Sequence, residues 1–211
     1  MTLSRSAEPR DNRGVLPTAL TPVPFAPEIS LFLVTAPVGL FEVTGGDFHS
    51  DQPPPFWAFA WAGGQALARH LLDDPSLVAG RRVLDVATGS GVAAVAAAHC
   101  GASAVACTDV DPAAVEAAHR NASANGLSLA ARVDDPDVVL AGDVFYSPIV
   151  APKMVATLRG FRKNGATVLV GDPGRGFFPE RLFELVTEYT VPVPAHLEET
   201  EALPTGVWRM K

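Results

Sequence analysis

The chain has 211 residues, 48% of them hydrophobic, and a mean hydropathy of +0.20, which is typical of a globular protein with a full core. The net charge of −7 argues against a general nucleic-acid binder, and no apolar stretch approaches the ~20 residues that cross a bilayer. The polar N-terminus and only two cysteines, too few for a disulfide framework or a metal motif, favour a cytoplasmic protein that binds no metal, membrane or nucleic acid.

The first 72 residues are predicted to precede the core of the fold. Residues 1–27 are rich in Pro, Arg and Ser and predict a flexible tail. After the tail we expect a β-hairpin, a proline-rich loop and an amphipathic helix (28–34 with 38–43, 45–55, and 65–72). The domain would then cover residues 28–211, with these leading elements in 28–72 and a Rossmann-like core in 80–211.

A strand, a tight turn and a helix are predicted next. The apolar run Arg82–Val86 indicates a buried parallel strand, and the alanine-rich run Val92–His99 indicates a helix. Gly89 and Gly91 let the backbone turn sharply and lie close to a ligand. Ser90 is placed to cap the helix, whose free N–H groups face the turn. This arrangement is typical of a nucleotide-type cofactor site.

Two cofactors, NAD and S-adenosylmethionine, are candidates for this turn. The spacing Gly89-x-Gly91-x-x-Ala94 satisfies the loose dinucleotide pattern, and Asp109 lies 20 residues after Gly89, where an acid that binds ribose is expected. However, Asp85 at the strand end would repel a pyrophosphate, whereas it suits a ligand with an ammonium group and no phosphate. We therefore favour S-adenosylmethionine over NAD. A purely structural turn would leave the two acids unexplained.

The downstream elements alternate between strands and helices. The predicted strands are 104–109, 127–133, 137–143 and 167–172, and the predicted helices are 112–124, 149–161 and 178–189. An antiparallel pair, 189–193 with 206–211, closes the chain. The fold class is therefore α/β, a doubly wound, mostly parallel seven-stranded sheet with an antiparallel final strand. Because no helix is predicted between 133 and 137, Asp134 and Asp135 become candidates for the adenine side of the pocket.

Acidic and aromatic residues mark the expected site. Asp143 ends a strand at the same sheet edge as Asp85 and Asp109, where ligands of open α/β sheets bind. Trp57 and Trp61 lie just ahead of the cofactor strand. A sulfonium cation is attracted to an aromatic face, so we weigh a cofactor contact evenly against core packing for each ring.

The motifs resemble those of the seven-β-strand methyltransferases, and among them the lysine methyltransferases of the electron-transfer flavoprotein β-subunit. The resemblance rests on these segments: Pro27-Glu28-Ile29-x-Leu31-x-Leu33, Pro55-Phe56-Trp57-Ala58-x-x-Trp61-x-Gly63-Gly64-Gln65, Val83-Leu84-Asp85 with Gly89-x-Gly91, Asp109-x-Asp111-Pro112, Gly142-Asp143-x-Phe145-Tyr146 and Gly171-Asp172-Pro173-Gly174-Arg175. The Gly-x-Gly turn is generic, whereas the last two motifs and the tryptophan segment are narrower. The turn Ala-Thr-Gly-Ser-Gly, which differs from a Cys-containing version in animal relatives, fits a bacterial relative.

The resemblance implies methyl transfer from S-adenosylmethionine to lysines of a protein, possible substrates being the flavoprotein subunit itself or a ribosomal protein. The cofactor residues would be Trp57, Trp61, Asp85, Gly89, Gly91, Asp109, Val110 and Asp143. The acceptor side would comprise Asp143, Phe145 and Tyr146, an apolar slot in which Asp143 orients a neutral lysine amine. We expect a monomer.

Three other functions stay open at this point. A small-molecule N-methyltransferase, for example one acting on a nicotinamide-type amine, would use the same cofactor residues. An NAD-binding oxidoreductase and a cofactor-binding module without catalysis are the other two. Asp172 and Arg175 are predicted to form an ion pair that shapes their loop or contacts the substrate, and we favour the structural role.

Overall fold

The computed structural model describes residues 17–35, 54–198 and 200–211. The chain begins there with an antiparallel hairpin of β1 (Thr18–Val23) and β2 (Ala26–Val34). The prediction of a flexible tail is therefore wrong for residues 18–27. The predicted hairpin partner of β2, residues 38–43, lies outside the described residues. Within the described residues β2 pairs with β1, the segment that precedes it.

A six-stranded sheet forms the centre of the fold. Its strands in chain order are β3 (Arg82–Val86), β4 (Ala104–Thr108), β5 (Val138–Gly142), β6 (Thr167–Asp172), β7 (Phe183–Pro192) and β8 (Ala202–Met210). The spatial order is β4-β3-β5-β6-β8-β7, and β8 runs antiparallel to both of its neighbours. This arrangement confirms the predicted α/β sheet with an antiparallel final strand.

Helices cover both faces of the sheet. They are α1 (Ala62–Asp73), α2 (Val92–His99), α3 (Pro112–Ala124), α4 (Val150–Lys163) and the single turn α5 (Ala195–Glu198). Three short 3-10 turns complete the described elements (Phe56–Ala58, Pro75–Leu77 and Glu180–Leu182). One core cluster joins α1, α2 and α3 to one face of the sheet, and a second joins α4 to the other. Alternate residues of β3 and β5 enter opposite clusters, as expected for parallel strands that are buried on both faces.

The sequence explains how the helices start and pack. Asp111 caps α3 by accepting a hydrogen bond from the Ala113 N–H at 2.9 Å, and Pro112 occupies the first turn, as predicted. In α2, six consecutive small residues from Val92 to Ala97 are all buried. Such a helix lies close to the sheet on one side and to α1 and α3 on the other, which brings its N-terminus to the sheet edge.

Two asparagines of α3 attach the hairpin to the core. Asn121 Oδ1 accepts a hydrogen bond from the Phe32 N–H at 2.8 Å. Asn125 Oδ1 accepts from the Ser30 N–H at 2.9 Å, and its Nδ2 donates to the Ser30 carbonyl at 2.6 Å. Asn121 also donates to the carbonyl of Ser90 at 2.8 Å, so one side chain joins the hairpin to the cofactor turn.

Two predicted elements are wrong. Residues 127–133 form no strand and reach the sheet through one backbone hydrogen bond, Ala130 N to Val105 O, so the sheet has six strands and not seven. Residues 178–189 do not form a helix, because most of this segment is the strand β7, which pairs with β8 from Phe183 to Pro192. The closing antiparallel pair itself is confirmed, with longer strands than predicted.

Candidate active site

The predicted site residues converge at the carboxyl ends of the parallel strands. Asp85 lies near the end of β3, and Asp109, Asp143 and Asp172 lie at or just beyond the ends of β4, β5 and β6. A small cavity of about 40 Å³ lies at this edge, lined by Trp61, Gly64, Asp85, Ala87, Thr88, Gly89, Ser90, Val92, Ala93, Gly142 and Asp143. The cavity lies where ligands of open α/β sheets bind.

The cofactor turn is held by its own acids. Asp109 accepts a hydrogen bond from the Gly89 N–H at 3.0 Å and another from the Asp111 N–H at 3.0 Å. Gly89 has a φ of +52°, and no neighbouring atom lies near the position of a Cβ, so its left-handed backbone is what requires glycine. The open space leaves its backbone accessible to a ligand.

Gly91 has a packing role that the sequence did not indicate. Its φ is +78°, and a Cβ there would lie 2.6 Å from the Cβ of Ala118 in α3. Glycine at this position therefore permits helix packing behind the turn, and its contact with the cofactor stays a prediction.

Asp85 is the most perturbed acid of the site. Its side chain is only 2% exposed and accepts a 2.6 Å hydrogen bond from the Thr88 hydroxyl. Burial raises the pKa of Asp85 from 3.8 to about 7, and the nearby charge of Asp109 adds to the increase. Among the described residues, no cation forms an ion pair with Asp85. A ligand cation would therefore find an acid without a counter-charge at this position.

Asp143 is held by the start of α1. Glycines let the two parts meet, because a Cβ at Gly171 would lie 2.0 Å from the Gly63 carbonyl oxygen and one at Gly142 would lie 2.8 Å from the Gly64 nitrogen. At this close approach the Gly64 N–H donates to Asp143 Oδ2 at 3.0 Å. Asp143 thus caps a helix 79 residues upstream in the chain, where helix N–H groups favour a carboxylate. Its backbone N–H donates to the Gly171 carbonyl at 2.9 Å.

The second oxygen of Asp143 binds Arg175. The Arg175 guanidinium donates to Asp143 Oδ1 at 3.1 Å and to Glu198 Oε1 of α5 at 2.6 Å. All three side chains are largely buried, with exposed fractions of 21% for Arg175, 9% for Asp143 and 12% for Glu198. Burial raises the pKa of Asp143 and Arg175 opposes that increase. The two neighbouring carboxylates raise the pKa of Arg175 more than its burial lowers it.

The side chains of Asp172 and Arg175 do not form the predicted ion pair. Asp172 Oδ1 instead accepts hydrogen bonds from the Gly174 and Arg175 backbone N–H groups, both at 2.8 Å, and so shapes the loop. Its Oδ2 is buried without a hydrogen-bond partner, and burial raises the pKa of Asp172 to about 6. The structural role predicted for Asp172 agrees with these contacts, whereas the Arg175 side chain belongs to the Asp143 network.

The aromatic residues occupy three kinds of position. Trp57 is buried against Ala114 and Ala117 of α3, while Trp61 lines the small cavity. Trp61 is held by a 2.9 Å hydrogen bond from its indole N–H to the Phe56 carbonyl. Tyr146 is 49% exposed, and its ring lies 5.8 Å from that of Phe56.

Phe145 and Val110 lie away from the cavity. Phe145 is fully buried in the core, where its ring packs on Phe178 and Phe183 at 5.4 and 5.9 Å between centroids. It therefore supports the loop after β5 from within the core. Val110 is 95% exposed and follows Asp109 on the open side of the site.

Backbone strain also marks this edge. The non-glycine residues described with a positive φ are Ala87, Asp135 and Asp143, and Ala87 and Asp143 both line the small cavity. Strained backbone of this kind concentrates at functional sites, where the surrounding structure maintains it. Ala87 and Asp143 thus mark the same place as the acids do.

A larger concavity lies away from these residues. It measures about 450 Å³ and includes Asp134 and Asp135. Arg82, at the start of β3, donates to the Asp134 carbonyl at 3.0 Å and pairs with Asp137 at 2.9 Å. Asp134 is therefore at the opposite end of β3 from Asp85, and the structure does not bring it to the adenine side of the pocket. The concavity lies where a strand and helix between β4 and β5 would cover the sheet.

The sheet order and the acid-lined glycine turn define a class I S-adenosylmethionine-dependent methyltransferase. Residues 67–167 match the family described as ribosomal protein L11 methyltransferase (PrmA). The chain is also similar to electron transfer flavoprotein beta subunit lysine methyltransferases. The mouse protein is 38% identical over 86% of this chain and 76% of its own length, and the Xenopus laevis protein is 40% identical over 76% and 69%.

These relatives establish the family. The chain belongs to the electron transfer flavoprotein beta subunit lysine methyltransferases. A solved structure, magnesium protoporphyrin IX methyltransferase from Synechocystis with bound S-adenosylmethionine, aligns with a TM-score of 0.50 at 13% identity, over 70% of this chain and 78% of its own, and agrees in fold.

Sequence reasoning missed three residues of the site: Gly64, Thr88 and Glu198. The contact of Thr88 could have been predicted from the sequence, since Thr88 follows Asp85 by three residues on the same turn. Gly64 contacts Asp143 directly and Glu198 reaches it only through Arg175, both from segments distant in sequence, so no local pattern indicates them.

Proposed function

We propose that the protein transfers the methyl group of S-adenosylmethionine to lysine side chains of a protein substrate, and that this substrate is the electron transfer flavoprotein β subunit. The single observation that supports this best is the acidic sheet edge itself, where Asp85 is buried beside a glycine turn and forms no ion pair with any residue that the structure describes. The family adds the acceptor, since the relatives carry the name of that subunit. We further propose a monomer that works in the cytoplasm, as one domain from the hairpin onwards.

The residues present fit the cofactor. S-adenosylmethionine supplies a methyl group on a positively charged sulfur. Asp85 and the accessible backbone at Gly89 would hold its amino-acid end, and Asp109 would accept hydrogen bonds from its ribose hydroxyls. A pyrophosphate in the same place would bring negative charge next to Asp85 and Asp109, and the resulting repulsion disfavours NAD. Trp61 is the aromatic residue at the cavity, and Trp57 supports it from the core.

The acceptor side must bind a lysine and favour its neutral form. A free lysine has a pKa of roughly 10.4, so its amine is protonated in solution and cannot attack a methyl group. Partial burial beside Tyr146 and Trp61 disfavours the charged form. Asp143 would accept an N–H hydrogen bond and orient the nitrogen lone pair, so positioning carries most of the acceleration.

The assay must separate a protein substrate from a small one. Purified protein and S-adenosylmethionine labelled on its methyl group would be incubated with electron transfer flavoprotein β subunit, with ribosomal protein L11 and with nicotinamide. Mass spectrometry of the first should show methylated lysines. Label in L11 alone would replace the proposed substrate, and label in nicotinamide alone would favour the small-molecule N-methyltransferase. A protein that binds NAD and does not bind S-adenosylmethionine would refute the proposal.

A further inference from the structure

Access to Asp143 is already restricted by this protein's own groups. Its Oδ2 accepts from the Gly64 N–H, and its Oδ1 accepts from the Arg175 guanidinium. The Gly64 contact is part of the close glycine packing between α1 and the sheet, where a Cβ on Gly142 would lie 2.8 Å from the Gly64 nitrogen. The partner of Oδ1 is instead a flexible side chain, so a lysine amine can take its place on that oxygen.

The groups around the Arg175 guanidinium are those that bind any organic cation. Two carboxylates, Asp143 and Glu198, contact it at 3.1 and 2.6 Å. The ring of Trp61 lies below it, with the guanidinium carbon 5.7 Å from the ring centroid, within the range of a cation–π contact. We call these three residues, Trp61, Asp143 and Glu198, the cation seat.

We propose that the cation seat is the binding site of the acceptor lysine, that Arg175 occupies it when no substrate is bound, and that the lysine ammonium displaces Arg175 on entry. The proposal rests on the proposed function, because it assigns the residues that recognise its substrate. Glu198 then becomes a residue that contacts the substrate, and Arg175 becomes an internal competitor for the seat.

Charge balance favours an exchange of cations. Without any cation, two largely buried carboxylates would face each other, and breaking a buried pair by removing one partner is strongly unfavourable. Replacing Arg175 by a lysine ammonium preserves the number of charges in the seat, so the lysine enters in its charged form and has to lose a proton before it can accept the methyl group. The departing guanidinium stays on an exposed loop, since Gly174 and Gly176 flank Arg175 and give its backbone freedom to move.

The exchange can be tested without any methyl transfer. The probe is n-butylammonium chloride, which carries the charge and apolar stem of a lysine side chain, with n-butanol as the neutral control. Its affinity would be measured by calorimetry for the wild type and for Arg175→Gln. The matched control is Arg209→Gln, which removes the same charge from an exposed ion pair with Glu184 on β7 and β8.

Arg175 should lower the affinity for n-butylammonium, because its charged hydrogen bonds with Asp143 and Glu198 have to break before the amine binds. We expect n-butylammonium to bind roughly ten- to hundredfold more tightly to Arg175→Gln than to the wild type. The control variant should match the wild type, and adding Glu198→Gln to Arg175→Gln should abolish the gain. Equal affinity with and without Arg175, or a gain that survives the loss of Glu198, would overturn the proposal.

A measurement on the wild type guards against variants that do not fold. The side-chain Nε–H signal of Arg175 in an NMR spectrum should shift as n-butylammonium is added, while that of Arg209 stays in place. Amine binding that leaves the Arg175 signal unmoved would equally overturn the exchange. Because neither readout involves methylation, a failed methylation assay would reject the proposed substrate and leave the cation seat to be judged by its own result.

Discussion

Replacing Asp85 by asparagine separates the cofactor function of this residue from its cost to stability. The carboxyl group has a pKa of about 7 in the folded protein because it is buried. A cationic ligand binds best to the ionised form. We therefore expect the affinity for S-adenosylhomocysteine, which keeps the ammonium group of the cofactor, to rise with pH in the wild type and to be weak and independent of pH in Asp85→Asn.

The magnitude follows from the fraction of Asp85 that is ionised. With a pKa of about 7, the affinity should be about twentyfold higher at pH 7.5 than at pH 5.5. An α-amino group titrates near roughly 7.7–8.0, so more than half of the ligand is still cationic at pH 7.5, and its own titration lowers the ratio by less than about twofold.

The stability of the protein without ligand should change in the opposite direction. In the unfolded chain the Asp85 carboxyl ionises near 3.8, so the folded protein binds more protons between that pH and about 7. Its stability therefore falls as pH rises through this window, by at most roughly 4 kcal/mol. Asp85→Asn removes the fall, and should be more stable than the wild type above pH 7 while binding the ligand poorly.

Calorimetric titration at several pH values measures the first effect, and thermal unfolding at the same pH values measures the second. Asp137→Asn serves as the control, because Asp137 pairs with Arg82 at the other end of β3 and has a pKa lowered to about 2 by that pairing. A wild-type affinity that is flat between pH 5.5 and 7.5, or a slope that persists in Asp85→Asn, would refute the electrostatic reasoning.

Three further substitutions test other parts of the site. Asp143→Asn should lower kcat for methyl transfer at least about hundredfold by misplacing the acceptor, with cofactor affinity within a few-fold of the wild type; comparable loss of both would remove the acceptor role. Gly171→Ala places a Cβ 2.0 Å from the Gly63 carbonyl oxygen and should destabilise by about 3 kcal/mol, whereas Gly160→Ala, in open space on α4, should raise the melting temperature slightly. Asp172→Asn should stabilise the folded protein at pH 7 and not at pH 4. Burial raises the Asp172 pKa to about 6, so the folded wild type loses stability as pH rises from about 4 to 6. Denaturant unfolding at pH 4 and pH 7 measures this difference.

The local parts of the fold were predictable from the sequence, and the parts that depend on partners were not. The strand Arg82–Val86, its turn and α2 follow from a short apolar run, glycines and alanines that act within a few residues. By contrast, β1 contains Pro22 and few buried residues, and β2 is what holds it in a strand. In β7, Leu185 and Val186 are exposed neighbours, so no alternation indicates a strand, and pairing with β8 decides the structure.

The candidate site divides in the same way. Sheet topology alone brings Asp85, Asp109 and Asp143 to one edge, so their convergence could be inferred from strand ends. The partners of Asp143 could not, because Gly64 and Arg175 reach it through the packing of separate segments, and Glu198 joins only by pairing with Arg175. Gly91 shows that a residue of a binding motif can also be required for helix packing, which the motif alone does not indicate.

The hydrogen bonds of Asn125 to the hairpin are exposed to a slow chemical change, deamidation of this side chain. Asn125 precedes Gly126, and a glycine after asparagine favours spontaneous loss of the side-chain amide. Its Nδ2 donates at 2.6 Å to the Ser30 carbonyl and at 2.7 Å to the Asn121 carbonyl. Deamidation would place carboxylate oxygens against both carbonyls, and repulsion would weaken the contact at Ser30, while Asn121 still accepts from the Phe32 N–H. Stored protein should therefore lose the Ser30 contact first and keep the rest of the hairpin in place.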